Sequence, residues 1–250
     1  IKELPRGEFT LPSINSIAIK NVTFSYDNGR KLLDKVELSF RSGDRVLITG
    51  ANASGKSTLL NIITGDITPA AGMVYLNDTP LVKFKNESLI SHYLIIKHDD
   101  LFLNENIIDY FKIISRNENL DDGRIKNIMN EINFLDNYEC EGIDKSELFN
   151  IELDYKGTFL SSGQKNKLHL LRLLLGFANA SVIVIDELTA NLDINTKNKY
   201  ADLKLQMLPS LSNKIYFEVS HQHFLNDFIK NFYTHHLIIE NCKVTLERLK

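Results

Sequence analysis

The sequence has little of what would place a chain outside the cell, in a bilayer or on nucleic acid. Its 250 residues contain two cysteines, Cys140 and Cys242. That is too few for a disulfide framework, so both read as buried or incidental thiols. No uninterrupted apolar run approaches the roughly 20 residues needed to cross a bilayer. The start, Ile1-Lys-Glu-Leu-Pro-Arg-Gly-Glu8, has no apolar centre of a signal peptide. There is no long basic run, and a formal net charge of −3 leaves no electrostatic footprint for nucleic acid. What remains is ordinary: 43% hydrophobic and 24% charged residues, enough for a sizeable core. These values predict a soluble intracellular domain, either one large α/β domain or a domain with a small lobe. The lack of an initial Met suggests a piece of something longer.

Hydrophobic periodicity orders the rest. Residues 1–16 are polar, contain Pro5 and Pro12, and read as a linker arriving from elsewhere. Alternation over 17–26 predicts a half-buried strand with a slip near Asn21, followed by a turn at Asp27-Asn28-Gly29. Further strands are expected over 35–40, 45–49, 72–76 and 93–97. Helix-type spacing covers 58–63, then 104–138 through Ile107, Ile108, Phe111, Ile125 and Met129. Downstream the pattern alternates: helix 162–177, strand 181–185, helix 195–208, strand 214–219. The expectation is α/β: a mostly parallel sheet covered by helices, with a small antiparallel β subdomain beside it.

Chemistry concentrates at Gly50-Ala-Asn-Ala-Ser-Gly-Lys-Ser57, an unmismatched G-x-x-x-x-G-K-[ST] phosphate loop entered from a strand and left through a helix. Gly50 and Gly55 permit turns that point successive N–H groups at a phosphate chain. Lys56 supplies a mobile charge for β- and γ-phosphates, and Ser57 a hydroxyl for Mg²⁺. Asn52, Ser54 and Thr58 complete the candidate contacts. Val182-Ile-Val-Ile-Asp186-Glu187 is an apolar strand ending in two carboxylates. At the carboxyl end of a parallel strand, Asp186 is placed for Mg²⁺ and Glu187 for the water that attacks the γ-phosphate. Leu160-Ser-Ser-Gly-Gln164 opens a helix; in isolation it reads as an ordinary Ser N-cap.

Taken in order, residues 50–57, 160–164 and 182–187 resemble the ATP-binding domains of ABC transporters, and the likeness runs from about Ile17 to the C-terminus. The pentapeptide is similar to the family's L-S-G-G-Q signature. The resemblance implies an ABC ATPase domain over 17–250, with a helical subdomain at about 100–178, that binds ATP with Mg²⁺. It implies that Tyr26 stacks on adenine, that Asp193 ends the loop after the catalytic glutamate, and that His221 contacts the γ-phosphate. Two such domains would pack head to tail, so Ser161, Gly163 and Gln164 would serve the partner's nucleotide. Attached membrane helices of the same transporter would place the domain at the cytoplasmic face of the membrane.

Residues 2–26 resemble the junction between membrane and ATPase domains in exporters, and 93–106 loosely resemble peptide exporters. Three residues depart from the pattern: His98 stands where the family usually has Gln, Ser162 replaces the middle glycine of the signature, and Tyr155 replaces a frequent Glu. They imply slower but real hydrolysis. A soluble relative acting on ribosome or DNA would call for a tandem ATPase, a coiled-coil insertion or a basic surface; a degenerate regulator would bind ATP with little turnover. His235 and His236 adjoin on a strand, so they point to opposite faces and make a poor metal pair.

Overall fold

A computed structural model describes residues 7–26, 29–97, 102–115, 120–132, 134, 152–158, 160–189, 192–220 and 231–249. Close contacts divide the chain into one unit of Ile1–Ile95, Asn179–Glu187 and Gln206–Lys250, and a second of Ile96–Ala178 and Leu188–Leu205.

The first unit is built on two sheets. Strands β1 (Ser16–Ser25), β2 (Lys31–Arg41), β4 (Ala71–Leu76) and β5 (Thr79–Pro80) form an antiparallel sheet in the order β2-β1-β4-β5. The slip expected at Asn21 is a bulge: the β1–β2 register shifts between Ile19 and Val22, and both Asn21 and Lys35 take positive φ. The larger sheet has the order β10-β9-β3-β8-β7-β6. Here β3 (Arg45–Gly50) lies parallel to both β8 (Ile215–Val219) and β9 (His235–Glu240), and β7 (Val182–Asp186) lies parallel to β8. The edges are β6 (Tyr93–Lys97) and β10 (Lys243–Arg248), the latter antiparallel to β9.

Continuous apolar runs account for the central strands. Val182, Ile183, Val184 and Ile185 are all buried, as a strand covered on both faces requires. Helix α1 (Lys56–Thr64) presents Leu59, Leu60, Ile62 and Ile63 to a core shared with both sheets. Phe40 of β2 and Phe217 of β8 meet edge to face at 4.9 Å within it. The short helix α2 (Asn86–His92) and the strand β10 were not legible beforehand. One buried residue, Leu89, anchors α2, and β10 alternates without a fully buried position.

In the second unit, α3 (Ile107–Ser115), α4 (Asp122–Glu131) and α5 (Ser162–Gly176) pack through Ile107, Phe111, Ile125, Met129 and a leucine-rich face of α5. Phe102 stacks on the buried His169 of α5 at 5.2 Å. Helix α6 (Ile194–Met207) follows β7.

The stretch expected as a linker is fastened to the first unit over the residues described. Gly7 and Phe9 N–H donate to the carbonyls of Val82 and Lys83, and Lys85 N–H donates to Phe9. Leu11 and Ile14 are buried, and Leu11 N–H donates to Ser88 Oγ at 2.7 Å. His92 Nε2 lies 2.8 Å from the Leu11 carbonyl. A carbonyl only accepts, so Nε2 donates, and the other ring nitrogen, Nδ1, lies 3.3 Å from Ser181 Oγ. His92→Phe keeps the bulk and deletes both bonds. Amide exchange over 7–15 should then accelerate, with stability falling by about 1–3 kcal/mol. Unchanged exchange in that segment would rule out the histidine as its fastener.

Candidate functional site

The site begins where β3 runs out. Gly50 has φ 153° and lies against β9: a Cβ there would stand 2.3 Å from the Ile239 carbonyl oxygen and 2.8 Å from Ser54 Oγ. The chain then turns through Ala51–Ser54, where Ser54 N–H donates to Ala51 at 3.2 Å and Ala53 takes φ 57°. Gly55, at φ 108°, is the N-cap of α1 and contributes no side-chain cap. The first-turn N–H groups of α1 therefore have no side-chain oxygen competing with an arriving anion, and the helix dipole favours one.

Lys56 follows at once. It is 5% exposed, and Nζ donates to the carbonyls of Gly50 (3.0 Å) and Ala51 (2.9 Å). Burial lowers its pKa; the carboxylates of Glu187 and Asp186 act in the opposite direction. A cation held by two neutral carbonyls can turn its donors to phosphate oxygens, and a hard cation would offset the two acids beside it. Glu187 itself sits at φ 57°, with its N–H donating to Val219 at 3.2 Å. A left-handed glutamate carries roughly 1–3 kcal/mol of backbone strain, a cost usually met at functional sites.

These elements enclose a cavity of about 430 Å³. Of the expected contacts, Tyr26, Asn52, Gly55 and Lys56 line it, and so do Ser57, Thr58 and Glu187. Tyr26 is half exposed, and its hydroxyl lies 3.2 Å from Thr58 Oγ1. Gly50 and Ser54 shape the loop from behind, and Asp186 closes β7 one residue before Glu187. Arg30, Leu32 and Ala53 also line the cavity. None of the three was singled out from sequence: Ala53 is an unspecified position of the loop motif, and Arg30 comes back beside Tyr26 only through the β1–β2 turn. His98 and His221 lie outside the described residues.

The expected metal donors, the Ser57 hydroxyl and the Asp186 carboxylate, are hard oxygens of the kind Mg²⁺ takes, and among the described residues no cluster of three or more His, Cys, Asp or Glu could hold an ion. A hard cation bound through few side chains takes its other positions from phosphate oxygens and water. His235 and His236 bond separately, to Thr234 and Thr49.

The remaining expected residues belong to the second unit. Ser161 caps α5 in a full capping box: Gln164 N–H donates to Ser161 Oγ (3.2 Å) and Ser161 N–H to Gln164 Oε1 (2.7 Å). Ser162 and Gly163 open the helix, and Ser162 has no positive φ, so its Cβ is accommodated without strain. Asp193 accepts from Thr196 N–H and Oγ1 at 2.9 and 2.6 Å, with Lys167 Nζ 4.0 Å away. Its carboxylate is thus committed to the start of α6. Burial pushes the carboxyl up, but the Thr196 bonds and the Lys167 cation outweigh that and hold it below the usual range.

Gly50→Ala should lose nucleotide binding and roughly 1–3 kcal/mol of stability, since backbone rather than a side-chain end must move; a thermal melt and an ATP titration check both. For Asp193 the folded value is depressed, so its contribution is complete above the unfolded value of about 3.9 and lost as pH falls through the folded one. Asp193→Asn should flatten that acid limb in circular dichroism, and superimposable curves would overturn the assignment.

A family model described as ABC transporter matches residues 33–190, more than half of the chain. A mesentericin-Y105 transport/processing ATP-binding protein from Leuconostoc mesenteroides is 27% identical over 210 residues, 83% of this chain and 27% of the relative. A microcin-J25 export ATP-binding/permease protein from Escherichia coli is 31% identical over 179 residues, 71% of this chain and 29% of its own length. The chain thus spans under a third of either relative. A solved bacterial Atm1-family ABC exporter with ATP bound superposes with TM-score 0.78 at 19% identity, covering 99% of this chain and 42% of that one, a likeness of fold. With the phosphate loop, the opposed carboxylates and the matched region in agreement, the chain belongs to the ABC transporter family and carries that family's ATP-binding, ATPase domain.

Proposed function

We propose that this domain hydrolyses ATP as one of a head-to-tail pair and drives export of a substrate through attached membrane helices, working at the cytoplasmic face of the membrane. One observation carries the reading: the cavity at the uncapped N-terminus of α1 is lined by both Lys56 and Glu187. In that geometry the first-turn N–H groups and Lys56 neutralise the phosphate chain, and Tyr26 offers its half-exposed ring to adenine. Glu187 accepts the proton of the water that attacks the γ-phosphorus, and the bond to the bridging oxygen breaks, leaving ADP and phosphate. Mg²⁺, held by Ser57 and by Asp186 through water, would supply charge neutralisation at the β- and γ-oxygens.

The pair rests on the resemblance of Leu160–Gln164 to the family signature, whose Ser161, Gly163 and Gln164 stand at the head of α5 in the second unit. A second copy would present them to the nucleotide. ATP would then favour the closed pair and ADP the open one, a population shift through differential contacts. Peptide-class cargo is favoured by the similarity to a mesentericin and a microcin export protein.

Turnover measured across a protein dilution series tests the pairing, and specific activity should rise with concentration. Glu187→Gln should keep ATP binding yet lower turnover by about 10²–10⁴-fold, the size of a lost general base. Unchanged turnover would remove Glu187 from the chemistry, and a rate independent of concentration would remove the second copy.

A further inference from the structure

The end of the β1–β2 hairpin is tied at two points to the phosphate loop and the start of α1, through residues that all line the cavity. Within the hairpin, Gly29 N–H donates to Tyr26 at 2.9 Å and Tyr26 N–H to Arg30 at 3.2 Å, so Arg30 and Tyr26 are locked in one turn. The first tie runs from the Tyr26 hydroxyl to Thr58 Oγ1, in the first turn of α1. The second runs from Arg30 Nη2 to the Ala53 carbonyl at 3.2 Å. Ala53 is the loop residue at φ 57°, a conformation that an alanine holds only when its surroundings impose it.

Arg30 and Ala53 also line a second cavity of about 370 Å³. The bond between them puts a charged donor on a carbonyl, stronger than a neutral pair.

We propose that Arg30 is a nucleotide-positioning residue: by holding Ala53 it fixes the outer turn of the phosphate loop to the hairpin that carries Tyr26. The spacing between the base platform and the phosphate cradle is thereby set. This rests on the nucleotide reading of the cavity. A ligand that must satisfy platform and cradle at once depends on the tie; a ligand that fills only the cradle does not. Arg30 thus acts through Ala53 and Tyr26, without itself touching the phosphate chain.

The test compares this chain with Arg30→Ala and Arg30→Lys, titrated calorimetrically with MgATP and with magnesium tripolyphosphate, which has the phosphates but no base. Arg30→Ala should weaken MgATP about five- to tenfold, the scale of one ordinary net hydrogen bond. Tripolyphosphate affinity should stay within about twofold. Arg30→Lys, which keeps one donor on a long stem, should recover most of the loss. In turnover, KM for ATP should rise in Arg30→Ala while kcat stays level. Equal affinity of Arg30→Ala and the parent chain for MgATP would overturn the proposal. Parallel loss of both ligands would overturn it too, making Arg30 a direct phosphate contact. A parent chain that binds neither ligand would sink the nucleotide reading itself, an outcome separable from either result for Arg30.

Discussion

The close approach of β3 to β9 is the constraint on which the site depends. Gly50 pairs with Ile239 at the point where the central strand ends, and no side chain fits between that carbonyl and Ser54. The chain must leave the sheet there with a positive φ, which directs the loop back over the strand end and aims α1 at the cavity. The loop residues expected to contact phosphate, through Ser57, then follow within seven residues of sequence. Two parallel neighbours, β8 and β9, flank this junction, and β7 on the far side of β8 brings the carboxylates to the same carboxyl end of the sheet.

Electrostatics at that end sets one buried cation among two carbonyls and two carboxylates. Lys56 rests on two carbonyls while two carboxylates act on its charge. The first turn of α1 has no side-chain cap. Glu187 is held in a strained left-handed conformation at the strand end, where its reach is set by backbone rather than by rotamer choice. A polyphosphate with a hard cation relieves several of these conditions at once, which is why this geometry favours nucleotide over a neutral ligand.

The second unit is organised by different means. Its expected functional residues are also its helix caps: Ser161 with Gln164 at α5, Asp193 with Thr196 at α6. The pentapeptide is therefore both a sound N-cap and a candidate anion site, because an anion site at a helix N-terminus and a capped helix use the same N–H groups. Bringing a phosphate to Ser161 would exchange one acceptor for another, at little net cost in hydrogen bonds.

Local pattern was enough for much of this protein. The phosphate loop, the strand ending in Asp186 and Glu187, the bulge near Asn21 and the limits of β6 were legible because each depends on period, glycine placement or a fixed motif spacing. Alternation and apolar runs report burial directly, so strands packed into the core announced themselves. What local pattern did not carry was everything set by long-range contact. The segment around Leu11 looked like a polar connector until Ser88 and His92 supplied its partners. The short helix α2 and the edge strand β10 bury too little to leave a period. Arg30 came to matter only when the hairpin folded it onto Ala53. Sequence by itself determined which chemistry the chain can perform, since that needs only residue types at given spacings. Tertiary structure decided which groups share a cavity, because separation in space is set by sheet order and turn geometry that no single stretch of the chain encodes.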